Sequence, residues 1–181
     1  MSNDVRYPIG RYEAPGEISQ GLREDWLAEL KDFPAKLSAE IDHLTPSQLD
    51  TSYREGGWTI RQVVHHLADS HMNGYIRVKL ALTEKAPKTV AYLQPAWGDL
   101  IDARTCDPAA STQILHGLHC RWGELFESLQ EEDFARTYIH PQFQEPLTIA
   151  WTLGNFVWHG NHHLGQIREL KRRRGWAQDL I

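Results

Sequence analysis

Apolar residues recur at helical spacing along most of this chain, and this pattern restricts its fold more than any other feature. They return every three or four residues within 18–33, 60–82, 114–129 and 149–167, the period of an amphipathic α-helix. No stretch alternates apolar and polar residues for long enough to build a sheet. The pattern therefore predicts an all-α protein, a four-helix bundle whose connections differ in length.

The segments between these stretches are rich in proline and glycine. Residues 1–16 contain two prolines and two glycines, which predicts an extended N-terminal arm on the surface. Pro34 either ends the first helix or restarts it. The segment from Ala86 to Pro108 includes Tyr92 and Trp97, and we expect it to form a long crossover that covers a site.

Composition indicates one globular domain, spanning residues 1–181. The chain is 41% hydrophobic and 24% charged, and its net charge of -5 without a long basic stripe argues against nucleic-acid binding. It has no apolar run of membrane-spanning length and no signal-peptide pattern. Only two cysteines occur, Cys106 and Cys120, and neither is placed like an activated nucleophile. We expect a cytoplasmic protein.

Histidine is unusually abundant, with ten residues, and this favours imidazole chemistry. His159 and His163 are four residues apart and therefore share a helix face beside the apolar stripe. His162 falls about 160° from the stripe and is predicted to face water or a partner. The pair suits a transition metal. Two hydrogen-bonded histidines at the edge of a core are the alternative interpretation.

The other helices offer further candidates. On the second helix, His65 is the least favoured ligand, whereas His66 and His71 flank the apolar stripe on opposite sides. Periodicity does not choose between these two, and they lie too far apart around the helix to serve one ion together easily. On the third helix, His116 is predicted to point outward and His119 to lie at the margin, both as non-ligands.

Three segments resemble a known family. They are YPIG at 7–10, GGWTIRQVVHHLADSHMN at 56–73 and WHGNHHL at 158–164. In these segments, and over almost its whole length, the chain resembles the YfiT-like branch of the DinB superfamily, which includes bacillithiol transferase. The resemblance implies an up-down-down-up four-helix bundle and a divalent metal held by three histidines, which by motif are His66, His159 and His163. Many members have a further histidine where this chain has Gln166, a change that we expect not to touch the ligands.

A site with three neutral ligands leaves a position open for reaction. Imidazole ligands accept several metals, of which Zn and Ni are preferred here and Fe and Mn possible. We expect a transferase that activates a low-molecular-weight thiol, such as bacillithiol, for attack on an electrophile. The alternatives are metal-dependent hydrolysis by a bound water and a non-catalytic, stress-related metal-binding module.

The preference for thiol transfer depends on a missing base. Hydrolysis benefits from a nearby proton acceptor, but Gly160 occupies the position between the paired histidines where some metal-binding helices have glutamate. His71 or His140 could fill that role. Asp69 is a candidate acceptor for the remaining N–H of a ligand.

Aromatic residues away from the core stripe of the last helix suggest a partner surface. Trp151, Trp158 and His162 predict a homodimer. Coverage by the crossover or by the N-terminal arm is the alternative. Small molecules, a thiol and an electrophile, are the other expected partners.

Overall fold

A computed structural model describes residues 4–140, 142 and 144–176. The elements, in chain order, are α1 (Gln20–Ile41), α2 (Pro46–Leu49), α3 (Ile60–Thr83), α4 (Gln94–Gly98), α5 (Ile101–Thr105), α6 (Pro108–Glu127), α7 (Glu131–Phe134), β1 (Thr137–Ile139), β2 (Pro146–Thr148) and α8 (Ile149–Arg174). The long helices α1, α3, α6 and α8 form a four-helix bundle, as the apolar periodicity predicted.

Local sequence explains where the long helices begin. The side chains of Ser19, Thr59, Asp107 and Thr148 each accept a hydrogen bond from a backbone N–H in the first turn, which satisfies donors that would otherwise lack a partner. Pro34, in contrast, neither ends nor restarts a helix, because α1 runs through it. The buried residues Phe33 and Leu37 on either side pack into the core and hold the helix together across the proline.

Contacts between the helices establish their directions. His65 and His71 on α3 meet Ser111 and His119 on α6 in the same order, so these helices are parallel. In contrast, α3 is antiparallel to α8, because His66 meets His159 whereas Gly74 lies against Phe156. Helix α1 is antiparallel to α6, as shown by the pairs Leu30–His119 and Ser38–His116. It is parallel to α8, as shown by the pairs Trp26–Gly154 and Glu40–Arg168. The topology is therefore up-down-down-up, as the resemblance implied.

Two parallel neighbours in a bundle require a long return connection. Residues 84–107 provide it between α3 and α6, and they include the short helices α4 and α5. Hydrogen bonds to β1 attach this crossover, with Thr89 N–H donating to the Ile139 carbonyl at 3.1 Å. The strands β1 and β2 form a small antiparallel pair, which the sequence did not predict because three residues are too few to show alternation.

The N-terminal arm covers the outer face of α8. Residues 4–16 contain no helix or strand, as expected; residues 1–3 of the predicted arm lie outside the described chain. The Tyr12 ring packs against Trp151 and Trp158, with centroids 5.4 and 6.0 Å away. The aromatic surface that suggested a homodimer is thus in contact with the chain's own arm, and the homodimer stays a prediction.

The exposure of two side chains corrects two further predictions. His162 does not face water, because the Tyr7 ring lies 5.5 Å from it and the residue is buried. Ile114, counted with the inward residues of the third helix, is 43% exposed. Within the described ranges, no helix is both long enough and apolar enough to cross a membrane.

Candidate metal centre

Three histidines come together between α3 and α8. One ring nitrogen from each of His66, His159 and His163 lies within 4.8 Å of the other two. The Nε2 atoms of His66 and His159 are 3.3 Å apart. His159 and His163 share a face of α8 because they are one turn apart, and the antiparallel α3 brings His66 opposite them. These are the three residues that the family motif implied.

The separation of the His66 and His159 nitrogens fits two ligands of one tetrahedral ion. Two imidazole nitrogens that each bind zinc at about 2.05 Å stand about 3.3 Å apart, which matches the separation of the two Nε2 atoms. Burial lowers the pKa of His66 to about 4 and lowers the pKa values of His159 and His163 well below the ordinary value. All three rings are therefore neutral at neutral pH and have a lone pair available for a metal.

A chain of hydrogen bonds orients His159. The Leu30 carbonyl can only accept, so Nδ1–H of His119 donates to it, at 2.6 Å. Nε2 of His119 then accepts from Nδ1–H of His71 at 2.8 Å, and Nε2 of His71 accepts from Nδ1–H of His159 at 3.3 Å. The lone pair of His159 is consequently on Nε2, the atom that faces His66. We call His71 and His119 the histidine relay.

Gln166 orients His163 in the same way. Its Nε2 donates to the Arg6 carbonyl at 3.0 Å, which places its Oε1 against Nδ1 of His163 at 2.9 Å. The oxygen can only accept, so the lone pair of His163 is on Nε2. The expectation that Gln166 does not touch the ligands was wrong. Helical spacing places residue 166 one turn after His163, and the amide is long enough to reach back.

The remaining histidines and Asp69 lie outside the cluster. His71 is fully buried behind His159, where it supports a cluster histidine and cannot serve as a solvent-facing base. His65 links α3 to α6 through Ser111 Oγ, at 2.7 Å, and to the Cys106 carbonyl, at 3.1 Å. The remaining N–H groups of His159 and His163 go to His71 and Gln166, and not to Asp69.

A pocket of about 140 Å³ opens beside His159. Its wall includes Ser70 and Arg77 from α3, Gln94 from the crossover, His140 after β1 and Asn155 from α8. The crossover therefore borders the site, as predicted, although it contributes Gln94 rather than Tyr92 or Trp97, whose rings pack on each other at 4.4 Å. A small substrate in this pocket would lie next to the histidine cluster.

The structure explains why no carboxylate lies between the paired histidines. A Cβ atom at Gly160 would lie 2.8 Å from the Phe33 ring, so α1 and α8 are too close for a side chain there. None of the described residues that line the pocket is Asp or Glu. His140 does line it, but its Nδ1 accepts from the Gln142 N–H at 3.2 Å, so the lone pair of Nδ1 is already used and the proton of the neutral ring is on Nε2.

Helical-bundle proteins hold metal ions with inward-facing side chains from neighbouring helices. The three-histidine cluster has this arrangement. The chain belongs to the DinB superfamily, whose family model matches residues 29–167. This membership agrees with the topology and with the position of the cluster between α3 and α8.

Relatives in Bacillus share much of the sequence. The Bacillus subtilis protein named "Putative metal-dependent hydrolase YfiT" is 48% identical over 176 residues, which cover 97% of this chain and 99% of the relative. A Bacillus licheniformis protein with the same description is 47% identical over 174 residues, 96% of this chain and 99% of its own.

A solved structure of the Bacillus subtilis protein superposes on this chain with a TM-score of 0.94. The match covers 96% of this chain and 99% of the solved one at 48% identity, and that protein is described as "a probable metal-dependent hydrolase with an unusual four-helix bundle topology". The names of the relatives support a metal-dependent enzyme. They match the hydrolase alternative better than the thiol transferase that we expected first.

Proposed function

We propose that this protein is a metal-dependent hydrolase in which His66, His159 and His163 hold one divalent transition metal ion. The observation that supports this most is the convergence of three neutral imidazoles, one of which, His159, lines a pocket. Three neutral ligands leave a coordination position open, as in catalytic rather than structural sites. Zn or Ni is the preferred metal, with Fe and Mn as alternatives.

Polar side chains of the pocket wall are candidates to assist the hydrolysis of an ester or amide. A divalent ion polarises a carbonyl group and lowers the pKa of water to about 7, which reduces the need for a dedicated base. Arg77 and His140 lie in the pocket wall together with the amide side chains of Gln94 and Asn155. Amide N–H groups of this kind can stabilise negative charge that develops on a substrate carbonyl oxygen. With a divalent ion bound, water would add to the carbonyl carbon, one of its protons would pass to the leaving group, and the bond from the carbonyl carbon to that group would break.

The test compares a ligand variant with a matched surface histidine. His163→Ala should lose bound zinc and hydrolysis of a panel of 4-nitrophenyl esters and N-acyl amino acids, whereas His116→Ala, which removes an exposed histidine of α6, should keep both. Metal content is measured by mass spectrometry after dialysis. Zinc retention by His163→Ala would contradict the ligand assignment. Failure of the zinc-loaded protein on the whole panel would contradict hydrolysis.

Thiol transfer remains a second candidate because no described residue that lines the pocket is Asp or Glu. A thiol needs less help than water, since its pKa of about 8.5 is already close to neutrality and coordination lowers it further. Its sulfur would attack an electrophilic carbon and displace a leaving group such as chloride. Bacillithiol and a chlorodinitrobenzene are suitable reagents for this test.

The two cysteines serve as a control for that candidate. Both are exposed, so Cys106→Ser with Cys120→Ser should leave conjugation intact if the attacking sulfur belongs to the small thiol. Loss of conjugation in the folded, metallated double variant would show that the sulfur comes from the protein. A zinc-loaded protein with neither activity would favour the non-catalytic, stress-related metal-binding module.

A further inference from the structure

Arg77 is a buried cation without a carboxylate partner in the described chain. Its residue is 9% exposed, and its guanidinium donates to the Val90 carbonyl at 3.3 Å. The other buried basic residues of the described chain each form an ion pair: Arg23 with Glu131, Arg61 with Asp50 and Lys171 with Glu40. Because a buried charge without a counterion costs free energy, Arg77 differs from its counterparts in a way that needs an explanation.

The position of Arg77 explains why its charge is buried without a carboxylate partner among the described residues. It lines the same pocket as His159, and the described lining contains no acidic side chain that could neutralise it. His140 also lines the pocket, and burial, together with the positive charge of Arg77, lowers the pKa of its imidazole to about 4. At neutral pH the wall therefore has one fixed positive charge with neutral donors around it.

Size and charge restrict the anion that fits. The pocket of about 140 Å³ is close in volume to an engineered protein cavity that binds benzene, which is enough for a carboxylate and a few carbon atoms. Guanidinium groups recognise carboxylates and phosphates. One buried cation balances one negative charge, so a carboxylate suits it better than a phosphate monoester with a charge of about -2.

We infer that Arg77 binds a carboxylate group of the substrate in the pocket beside His159. This inference rests on the proposed function, and it specifies the substrate class as small carboxylates whose ester or amide bond lies within a few atoms of the acid group. The short distance follows from the pocket size, since the carboxylate and the reacting bond share one small cavity with His159. Short N-acyl amino acids have this arrangement.

The test separates carboxylate binding from catalysis by measuring binding of two probes of almost equal shape. Propionate and its neutral isostere propionamide are titrated against the full-length protein, with and without zinc, and followed by tryptophan fluorescence, because Trp151 lines the pocket. Propionate should bind at least about tenfold more tightly than propionamide, both with and without zinc. Arg77→Met should abolish this preference, whereas Arg104→Met, which removes an exposed arginine of α5, should keep it.

Two results would overturn the inference. The first is equal binding of propionate and propionamide to the zinc-free protein. The second is a preference for propionate that requires zinc and survives Arg77→Met, since the carboxylate would then be binding the metal. If Arg77→Met does not fold, as judged by circular dichroism, Arg77→Lys tests the charge, and the comparison of probes on the unmodified protein remains decisive. Carboxylate binding without any hydrolysis would contradict the proposed function but leave this inference intact.

Discussion

Nε2 of His71 lies 3.3 Å from Nδ1 of His159, so a histidine outside the three-histidine cluster determines which nitrogen of a cluster histidine has a lone pair. His71 is in turn held by His119, and His119 by a backbone carbonyl of α1. The relay therefore extends from α1 through α6 and α3 to α8. Three helices thus contribute to the orientation of one cluster histidine on the fourth.

Breaking the relay should weaken metal binding without removing a ligand. We expect His119→Phe to lower zinc affinity about 10–100-fold, the usual effect of losing a partner that orients a ligand. The affinity is measured by competition with a chromophoric chelator. His65→Asn is the control, because His65 is another buried histidine of α3 but bonds to Ser111 and Cys106. An equal loss in both variants would show that the effect is general destabilisation.

Gln166 should contribute to metal affinity through His163. Gln166→Leu removes the acceptor of the His163 Nδ1–H bond at 2.9 Å, and we expect zinc affinity to fall about 10–100-fold. Gln113→Leu changes an exposed glutamine of α6 and should leave the affinity unchanged. Isothermal titration with zinc distinguishes the two variants, and unchanged affinity in Gln166→Leu would contradict the orienting role.

The stability of the metal-free protein should decrease in mild acid. Burial lowers the pKa values of His66 and His119 to about 4, from about 6.5 in the unfolded chain. The unfolded state therefore binds more protons between these values, so the free energy of unfolding falls as the pH drops from about 6.5 toward 4. At about pH 5 each histidine should lower it by roughly 2 kcal/mol.

Asp69 acts in the opposite direction, since burial raises the pKa of its carboxyl to about 6, but it is partly exposed and its effect is smaller. Urea unfolding at about pH 7 and about pH 5 measures the net change. His119→Phe should show a shallower pH dependence. Equal stability at the two pH values would contradict the buried, neutral state of these histidines.

Two helical glycines should respond to alanine with opposite signs. At Gly160 a Cβ would lie 2.8 Å from the Phe33 ring, whereas at Gly117 it would have no neighbour within 4 Å. Gly117→Ala should stabilise the fold by about 0.5–1 kcal/mol through helix propensity. Gly160→Ala should destabilise it by about 1–3 kcal/mol, because overpacking exceeds that gain. Thermal unfolding measures both, and stabilisation of Gly160→Ala would show that α1 and α8 can separate without cost.

Much of the fold and part of the site could be predicted from local patterns. Helical spacing predicts the long helices, and Thr59 and Thr148 mark two of their starts, because capping depends on neighbouring backbone groups. Spacing also pairs His159 with His163. It could not choose between His66 and His71, since both flank the same stripe and only the position of α8 separates them. The family motif was needed for that choice.

The sequence by itself determined the class of fold, the pairing of His159 with His163 and, through the motif, the third histidine. Tertiary structure decided what surrounds them. It buried His162 beneath the N-terminal arm, connected His119 to His159 across three helices, brought Gln166 against His163 and placed Arg77 in the pocket without a carboxylate partner among the described residues. Periodicity assigns a residue to a face of its own helix, whereas these contacts depend on how helices distant in sequence pack together.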